Sequence, residues 1–301
     1  MTHPYGMERY AESLSHVGEP FAVRDWDSHL LIRGVEGGRR DATGPYPLTV
    51  IAPDADIKAG LARLKAEGMV SIVLVLDDIQ RPPLDALKAF DFVRPFKTHH
   101  LHDRTLVTFA YGRHHRYNVK RAHGQVRAVE ISLADHLDDW QRLYQELVGR
   151  HRLSGVHAFP TVHFKILSQL PGVRTFGAFA DGVLVSAHLF VTHGDYAISH
   201  LVASTAQGYE LGAAYAVNDA ALEGLGTCQV INFGGGAGSG DDPSGGLARF
   251  KAGFSNRIAQ SYLCGKVLDH VAYDKLSAGL DKSDFFPAYR SIRRREQFNG
   301  E

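Results

Sequence analysis

The stretch LVASTAQGYELGAAYAVNDAALEGLGTCQVINFGGG, residues 201–236, decides how the second half of this chain folds. It opens on a short apolar run, and residues 211–225 then place apolar side chains at helical spacing, with Asn218 on the same face. A second apolar run, CQVINFG, ends in consecutive glycines. The pattern predicts a strand, a helix and a strand in close succession, followed by a glycine-rich loop.

The segments that precede this stretch have an equally regular order. Residues 133–152 and 161–170 have the apolar spacing of helices. Strand-like runs follow in a meander, with Asp181-Gly182 and Gly194-Asp195 at the turns. The second half therefore reads as helix, helix, antiparallel meander, helix and strand.

The first half shows the same order of elements, but fewer of them are recognisable in the sequence. Residues 47–52 and 69–78 read as strands, and residues 57–67 read as a helix between them. We therefore predict an α/β (α+β) chain with two tandem domains, residues 1–122 and 123–301. Each domain is expected to hold a mixed, mostly antiparallel sheet flanked by helices.

Composition limits the classes of function. The chain has 301 residues, a formal net charge of zero, 44% hydrophobic residues and 22% charged residues, which is typical of a globular protein with a real core. A neutral chain does not suit a protein that coats DNA, and no apolar run resembles a signal peptide or a membrane span. The two cysteines form no metal-type pair. We expect a cytoplasmic protein with no DNA partner.

A meander followed by a helix and a further strand resembles the acyltransferase fold called GNAT. In that fold the strand before the helix splays away from the strand after it, the gap receives an acyl donor, and the helix N-terminus faces a phosphate. Gln207, Gly208 and Tyr209 lie at the matching turn and are candidate substrate-binding residues. Acetyl-CoA is the weaker choice of donor, because the basic residue and the regular glycine spacing of that turn are missing. A plain glycine turn is the alternative.

Three further motifs make the resemblance more specific. INFGGG at residues 231–236, GGLARFKAGF at 245–254 and RHHRYNVKRA at 113–122 are similar to the closing motif and the basic helix of the Fem family. Members of that family are aminoacyl-tRNA-dependent peptidyltransferases built from two GNAT-like domains. The resemblance covers most of residues 110–260. It implies aminoacyl-tRNA as co-substrate, no bound cofactor, and a functional lysine at position 251.

The chemistry of aminoacyl transfer suits the closing motif. The tetrahedral intermediate carries an oxyanion, which the Lys251 ammonium would stabilise by ~3 kcal/mol in a dry site. Phe250 is expected to shape the channel around the acyl end, while Gly235 and Gly236 admit a bulky substrate and Arg249 helps to bind it. The alternative is that Lys251 is an ordinary surface lysine. Neither cysteine has a histidine and an acid at a spacing that indicates a catalytic triad. Direct transfer without an acyl-enzyme intermediate is therefore expected.

The basic segment adds candidate phosphate ligands. Arg113, Arg116 and Lys120 are spaced to share one helix face, where they would hold the phosphates of tRNA or of a nucleotide-linked acceptor. A solvated basic face is the alternative for each of them. His99, His100 and His102 would alternate across a strand, which is poor geometry for metal ligands, and we predict no metal site.

These residues together predict an enzyme that moves an amino acid from aminoacyl-tRNA to the amine of a peptide-like acceptor. Many cell-wall members of the Fem family carry a long helical hairpin, which this chain lacks, so a peptide natural product suits the acceptor site at least as well as a cell-wall precursor. An acyl-CoA-dependent N-acyltransferase is the first alternative. A non-catalytic module that binds tRNA or a nucleotide is the second.

Overall fold

A computed structural model of the chain describes residues 2–77, 87–106, 108–236, 245–280 and 285–291. The chain divides into two compact units, Met1–Phe96 with Gln260–Glu301, and Lys97–Ala259. The domain boundary predicted between residues 122 and 123 therefore falls inside the second unit. The reason is that the basic helix buries His115, Val119 and Ala122 within that unit.

The described strands and helices run as follows in chain order. The strands are β1 (Glu19–Val23), β2 (Ser28–Val35), β3 (Arg39–Thr43), β4 (Met69–Asp77), β5 (Phe92–Asp103), β6 (Arg127–Ile131), β7 (Val173–Ala180), β8 (Val183–His193), β9 (Tyr196–Ser204), β10 (Val230–Asn232) and β11 (Arg257–Val267). The helices are α1 (Glu8–Ser13), α2 (Ile57–Ala66), α3 (Arg113–His123), α4 (Leu137–His151), α5 (Thr161–Leu167), α6 (Ala206–Glu210), α7 (Ala213–Gly224), α8 (Gly246–Ala252) and α9 (His270–Leu276).

The first unit is built around an apolar strand. In its sheet the strands lie in the order β1-β2-β3-β4-β11, and only β3 and β4 are parallel neighbours. The β4 run is buried along most of its length, as its continuous apolar sequence predicts. Helix α2 packs against it, and the Asp56 carboxylate caps this helix by accepting a hydrogen bond of 3.0 Å from Ala59 N.

One strand prediction in the first unit is wrong. Residues 47–52 have no regular strand structure. Their contact with β4 is a backbone hydrogen bond from Thr49 N to Val75 O, just past Val73, where the pairing of β3 with β4 ends. Strand β3 lies in the turn-rich sequence that precedes these residues. Its arginines and aspartate do not show the apolar alternation that predicts a strand.

Within the first unit, a buried ionic network fastens the C-terminal segment to strands β2 and β3. The Asp41 side chain is fully buried and accepts hydrogen bonds from Arg33 Nε at 3.0 Å and from Arg290 Nε at 2.7 Å. The Tyr289 hydroxyl donates to the same carboxylate at 3.0 Å and lies 2.7 Å from Ser71 Oγ. Burial and the Asp41 charge raise the pKa of this hydroxyl far above its usual range, so the phenol keeps its proton.

The second unit carries the predicted meander. Its sheet has the order β5-β10-β9-β8-β7-β6, in which β10 and β9 are parallel and the other neighbours are antiparallel. Helices α3 and α7 pack together, and α7 also covers β6, β7 and β8 through an apolar cluster that includes Phe176, Phe190 and Phe254. The expected fold class, mostly antiparallel sheets flanked by helices, is confirmed.

None of the helices in the described ranges has the length and apolar content that crossing a membrane requires.

Candidate functional site

Strands β9 and β10 part from one another in the second unit. They pair over three residues only, ending where Ile198 faces Asn232. Beyond this point the chain follows β5 instead, because Phe233 N donates to His100 O at 2.9 Å and His100 N donates to Gly234 O at 3.3 Å. Ser199 and Gly234 lie on the two sides of the point where this pairing ends, and we call this place the strand gap.

The turn into the strand gap is fixed by Asn232. Its Oδ1 accepts a hydrogen bond of 2.7 Å from Gly234 N, and its Nδ2 donates to the Tyr196 hydroxyl at 2.7 Å. Gly234 has a φ of +76°, a left-handed conformation that favours glycine. The sequence INFGGG therefore ends the strand at a defined point.

Lys251 lies on α8 and brings its ammonium to the strand gap. Its Nζ donates to Gly235 O at 2.6 Å, and a Cβ placed on Gly234 would lie 3.5 Å from Nζ and 4.0 Å from Ser199 Cβ. Burial, and then the charge of Lys97, lower the pKa of Lys251 to about 8. The ammonium is thus held by the glycine turn and does not point into bulk solvent.

A second lysine lies beside the same turn. Lys97 on β5 is only 6% exposed, and a Cβ placed on Gly235 would lie 2.8 Å from Lys97 Cβ. Lysine is almost never this buried without an electrostatic reason. Lys97 and Lys251 thus lie near one glycine turn, and the charge of Lys97 acts on Lys251. A lysine ammonium at this place suits a developing negative charge.

A chain of hydrogen bonds joins α7, β8 and β9 at the strand gap. Asn218 Oδ1 lies 2.8 Å from His188 Nδ1, and His188 Nε2 lies 2.8 Å from Ser199 Oγ. Asn218 and His188 are 3% and 2% exposed, whereas Ser199 is half-buried. Burial lowers the pKa of His188 to about 3, and the Lys251 charge acts in the same direction while the bond to Asn218 opposes it.

The two residues that precede Lys251 differ in environment. The Phe250 ring is half-buried and packs edge-on against Tyr215 and Phe254, with centroid distances of 4.8 and 5.2 Å. Its carbonyl oxygen lies 2.9 Å from His115 Nε2 on α3. These contacts anchor α8, and hence Lys251, to the core. Arg249 lies exposed on the same short helix.

The three predicted phosphate ligands lie on the solvent face of α3. Arg113, Arg116 and Lys120 are exposed, and Arg116 Nη2 donates to Tyr111 O at 3.0 Å. In the part of the chain that the structure describes, no hydrogen bond or ion pair joins them to Lys251. They form a separate cationic surface on the helix whose His115 contacts the Lys251 helix.

The predicted phosphate turn has a packing role at Gly208. A Cβ at this position would lie 2.2 Å from Val185 O, and Gly208 N already donates to Thr205 Oγ1 at 3.0 Å. Gln207 and Tyr209 are exposed, and the guanidinium of Arg150 stacks 4.4 Å above the Tyr209 ring. Close backbone packing thus accounts for the glycine, while its two neighbours face solvent.

Of the predicted glycines, Gly235 holds the ammonium and Gly236 is half-buried directly after it. The rest of the predicted glycine-rich loop, residues 237–244, lies outside the described residues. Among the residues that are described, no group of three His, Cys, Asp or Glu side chains is arranged to hold a metal ion.

Sequence reasoning missed Lys97, His188, Ser199 and Asn232. The sequence does contain a signal for His188. Asn218 occupies an apolar helix face, and a buried amide requires a polar partner. The partner is His188 on a strand thirty positions earlier, a pairing that periodicity does not reveal.

Comparison with known proteins gives a fold but no sequence relative. No known sequence family and no curated protein matches the chain. FemX matches it with a TM-score of 0.65 and 13% identity, over 91% of this chain and 95% of FemX. L-PGS from Bacillus licheniformis matches with a TM-score of 0.61 and 13% identity, over 87% and 88% of the two chains.

A third similar structure is the C-terminal DUF2156 domain of an Agrobacterium fabrum protein that is named for lysylphosphatidylglycerol synthetase. It has a TM-score of 0.58 and 13% identity, and the match covers 85% of this chain and 92% of that domain. At such identities the likeness is one of fold. The chain shares the fold of FemX, as the resemblance of its sequence to the Fem family predicts.

Proposed function

We propose that this chain is an aminoacyltransferase that moves an amino acid from aminoacyl-tRNA to the amine of a peptide-like acceptor. The observation that carries the proposal is the Lys251 ammonium, held at the strand gap by its hydrogen bond to Gly235 O. The Fem motifs of the sequence and the fold shared with FemX favour this donor. A similar structure named for lysylphosphatidylglycerol synthesis also favours the transfer of an amino acid.

The reaction forms a negatively charged oxygen, which the Lys251 ammonium at this site can stabilise. The acceptor nitrogen attacks the ester carbonyl carbon of the aminoacyl group, a C–N bond forms, and the carbonyl electron pair moves to oxygen. The C–O bond to ribose then breaks, the carbonyl re-forms as an amide, and the ribose oxygen takes up the proton that the amine loses. Lys251 stabilises the negative oxygen of the intermediate, and an ammonium has three N–H donors, of which the bond to Gly235 uses one.

The surrounding groups have supporting roles in this proposal. Lys97 adds positive charge beside the glycine turn, and Phe250 positions Lys251 through its core contacts. The exposed cations of α3 and Arg249 bind phosphates of the tRNA, which makes donor binding sensitive to salt. Gln207, Tyr209, Gly235 and Gly236 complete the substrate surface. No bound cofactor is required, and the cytoplasm, where charged tRNA occurs, is the place of action.

The test is transfer from total charged tRNA that carries labelled amino acids, with glycinamide and short peptides as acceptors. We expect a labelled amide that survives mild alkali and that does not form after the tRNA has been treated with RNase. An alkali-labile product would contradict an amine acceptor, because it indicates an ester. Product made from acetyl-CoA and unaffected by RNase would support the acyl-CoA alternative. No product from either donor would support a non-catalytic binding module.

A further inference from the structure

The hydrogen bonds around His188 fix where each proton lies. An amide oxygen only accepts hydrogen bonds, so His188 Nδ1 carries the proton that is shared with Asn218 Oδ1 over 2.8 Å. In the neutral ring Nε2 then has only its lone pair, and the Ser199 hydroxyl donates to it over 2.8 Å. Asn218 thus determines the tautomer of His188, and the tautomer determines the orientation of the Ser199 hydroxyl.

The environment of His188 keeps this arrangement in place. The ring is 2% exposed and lies against Phe190, with 3.9 Å between the ring centroids, and near Phe233. The charged group that acts on it is Lys251, whose positive charge opposes a second proton on the ring. The imidazole therefore stays neutral at the pH of the cell, and Nε2 remains an acceptor.

Ser199 lies at the strand gap, close to Lys251. It directly follows Ile198, the last β9 residue that pairs with β10. A Cβ placed on Gly234 would lie 3.5 Å from Lys251 Nζ and 4.0 Å from Ser199 Cβ. The single hydroxyl proton of Ser199 is committed to His188, so the lone pairs of Oγ are what the side chain can offer to a group in the gap.

We propose that Ser199 Oγ accepts a hydrogen bond from the attacking amine and so aims the nitrogen lone pair at the aminoacyl carbonyl carbon. This inference rests on the proposed transferase function. An amine has N–H donors and one lone pair, and holding an N–H on Ser199 orients the lone pair while Lys251 faces the carbonyl oxygen. Ser199 touches the substrate without bonding to it covalently. His188 and Asn218 are positioning residues, because they act through Ser199.

The first test compares Ser199→Ala with Ser199→Thr and with Ser168→Ala. Ser168 is a matched control, because its hydroxyl donates to the Lys165 carbonyl at the end of α5. With charged tRNA and the short peptide that serves the wild-type chain best, Ser199→Ala should lose about tenfold in kcat/KM for the peptide, as expected for one lost hydrogen bond. The KM for charged tRNA should not change, and Ser199→Thr should recover most of the rate.

Product partition separates positioning from general damage. A charged tRNA bound without a well-placed amine is hydrolysed, so Ser199→Ala should release more free amino acid per amide formed. A structural defect would lower both products together, and that result would overturn the proposal. An aminoacyl group found on Ser199 by mass spectrometry would overturn it as well, since it would make Ser199 a nucleophile.

Nitrogen NMR of the His188 ring gives a readout that needs no substrate. The proposal requires the neutral form with the proton on Nδ1, and the Nε2–H form would contradict it. If the wild-type chain transfers nothing from charged tRNA, the proposed function and this inference both fail. If the wild-type chain transfers and Ser199→Ala does so equally well, only this inference fails.

Discussion

Replacing Lys251 by methionine is expected to slow aminoacyl transfer by about 10²–10³-fold, which corresponds to roughly 3–4 kcal/mol of transition-state stabilisation. Methionine keeps most of the side-chain volume and removes the charge that faces the strand gap. Gly235 O loses its hydrogen-bond donor, a change that costs about 1 kcal/mol of folding free energy at most, because burying the ammonium is itself unfavourable. The chain should therefore stay folded while it loses turnover.

The measurement is the single-turnover rate of amide formation from charged tRNA, beside the urea unfolding curve of the same variant. Lys165→Met is the matched control, since Lys165 lies exposed on α5 in the same unit. The control should transfer at the wild-type rate. A Lys251→Met chain that folds and transfers as fast as the control would remove Lys251 from the mechanism.

Replacing Asp41 by asparagine is expected to lower the free energy of unfolding of the first unit by about 3–5 kcal/mol. The carboxylate is fully buried between Arg33 and Arg290, and each guanidinium is bonded to it through more than one nitrogen. An uncharged amide would leave these two positive groups facing each other without their counter-ion. The Tyr289 hydroxyl would lose its charged acceptor at the same time.

The two tryptophans allow this effect to be located. Trp26 is buried in the first unit and Trp140 in the second, so a Trp140→Phe background reports the first unit alone by fluorescence. Asp25→Asn is the control, because Asp25 forms an exposed ion pair with Arg63 that contributes little to stability. Equal urea midpoints for the Asp41 and Asp25 variants would mean that the network does not fasten the segment.

Local sequence signals predicted much of the fold, because many of its elements are specified by their own residues. The turns at Gly182 and Gly194 close the β7–β8–β9 meander as predicted, and Asp56 caps α2. Strand β11 was not predicted. Its place beside β4 depends on a pairing between residues about two hundred positions apart, and its sequence shows no clear alternation.

Only the part of the site that lies within one sequence motif was predicted. Lys251 and the glycine turn are neighbours in sequence as well as in space, so the closing motif revealed both. Lys97, His188 and Ser199 come from three different strands, and only the sheet order brings them to the same gap. The cations of α3 were predicted as a shared face and do share one, but helical spacing does not say which way a face points.

The most direct test of the account is the ratio of the wild-type transfer rate to the Lys251→Met rate, measured across pH. Ionisation of the acceptor amine and alkaline loss of charged tRNA affect both chains equally, so they cancel in the ratio. Lys251 acts as the ammonium, and its lowered pKa of about 8 means that the charge is present below that pH and is lost above it. The account predicts a ratio of about 10²–10³ near neutral pH that falls through about pH 8 towards unity. A large ratio that stays constant to about pH 10 would contradict it, because the lysine would then act without its charge changing.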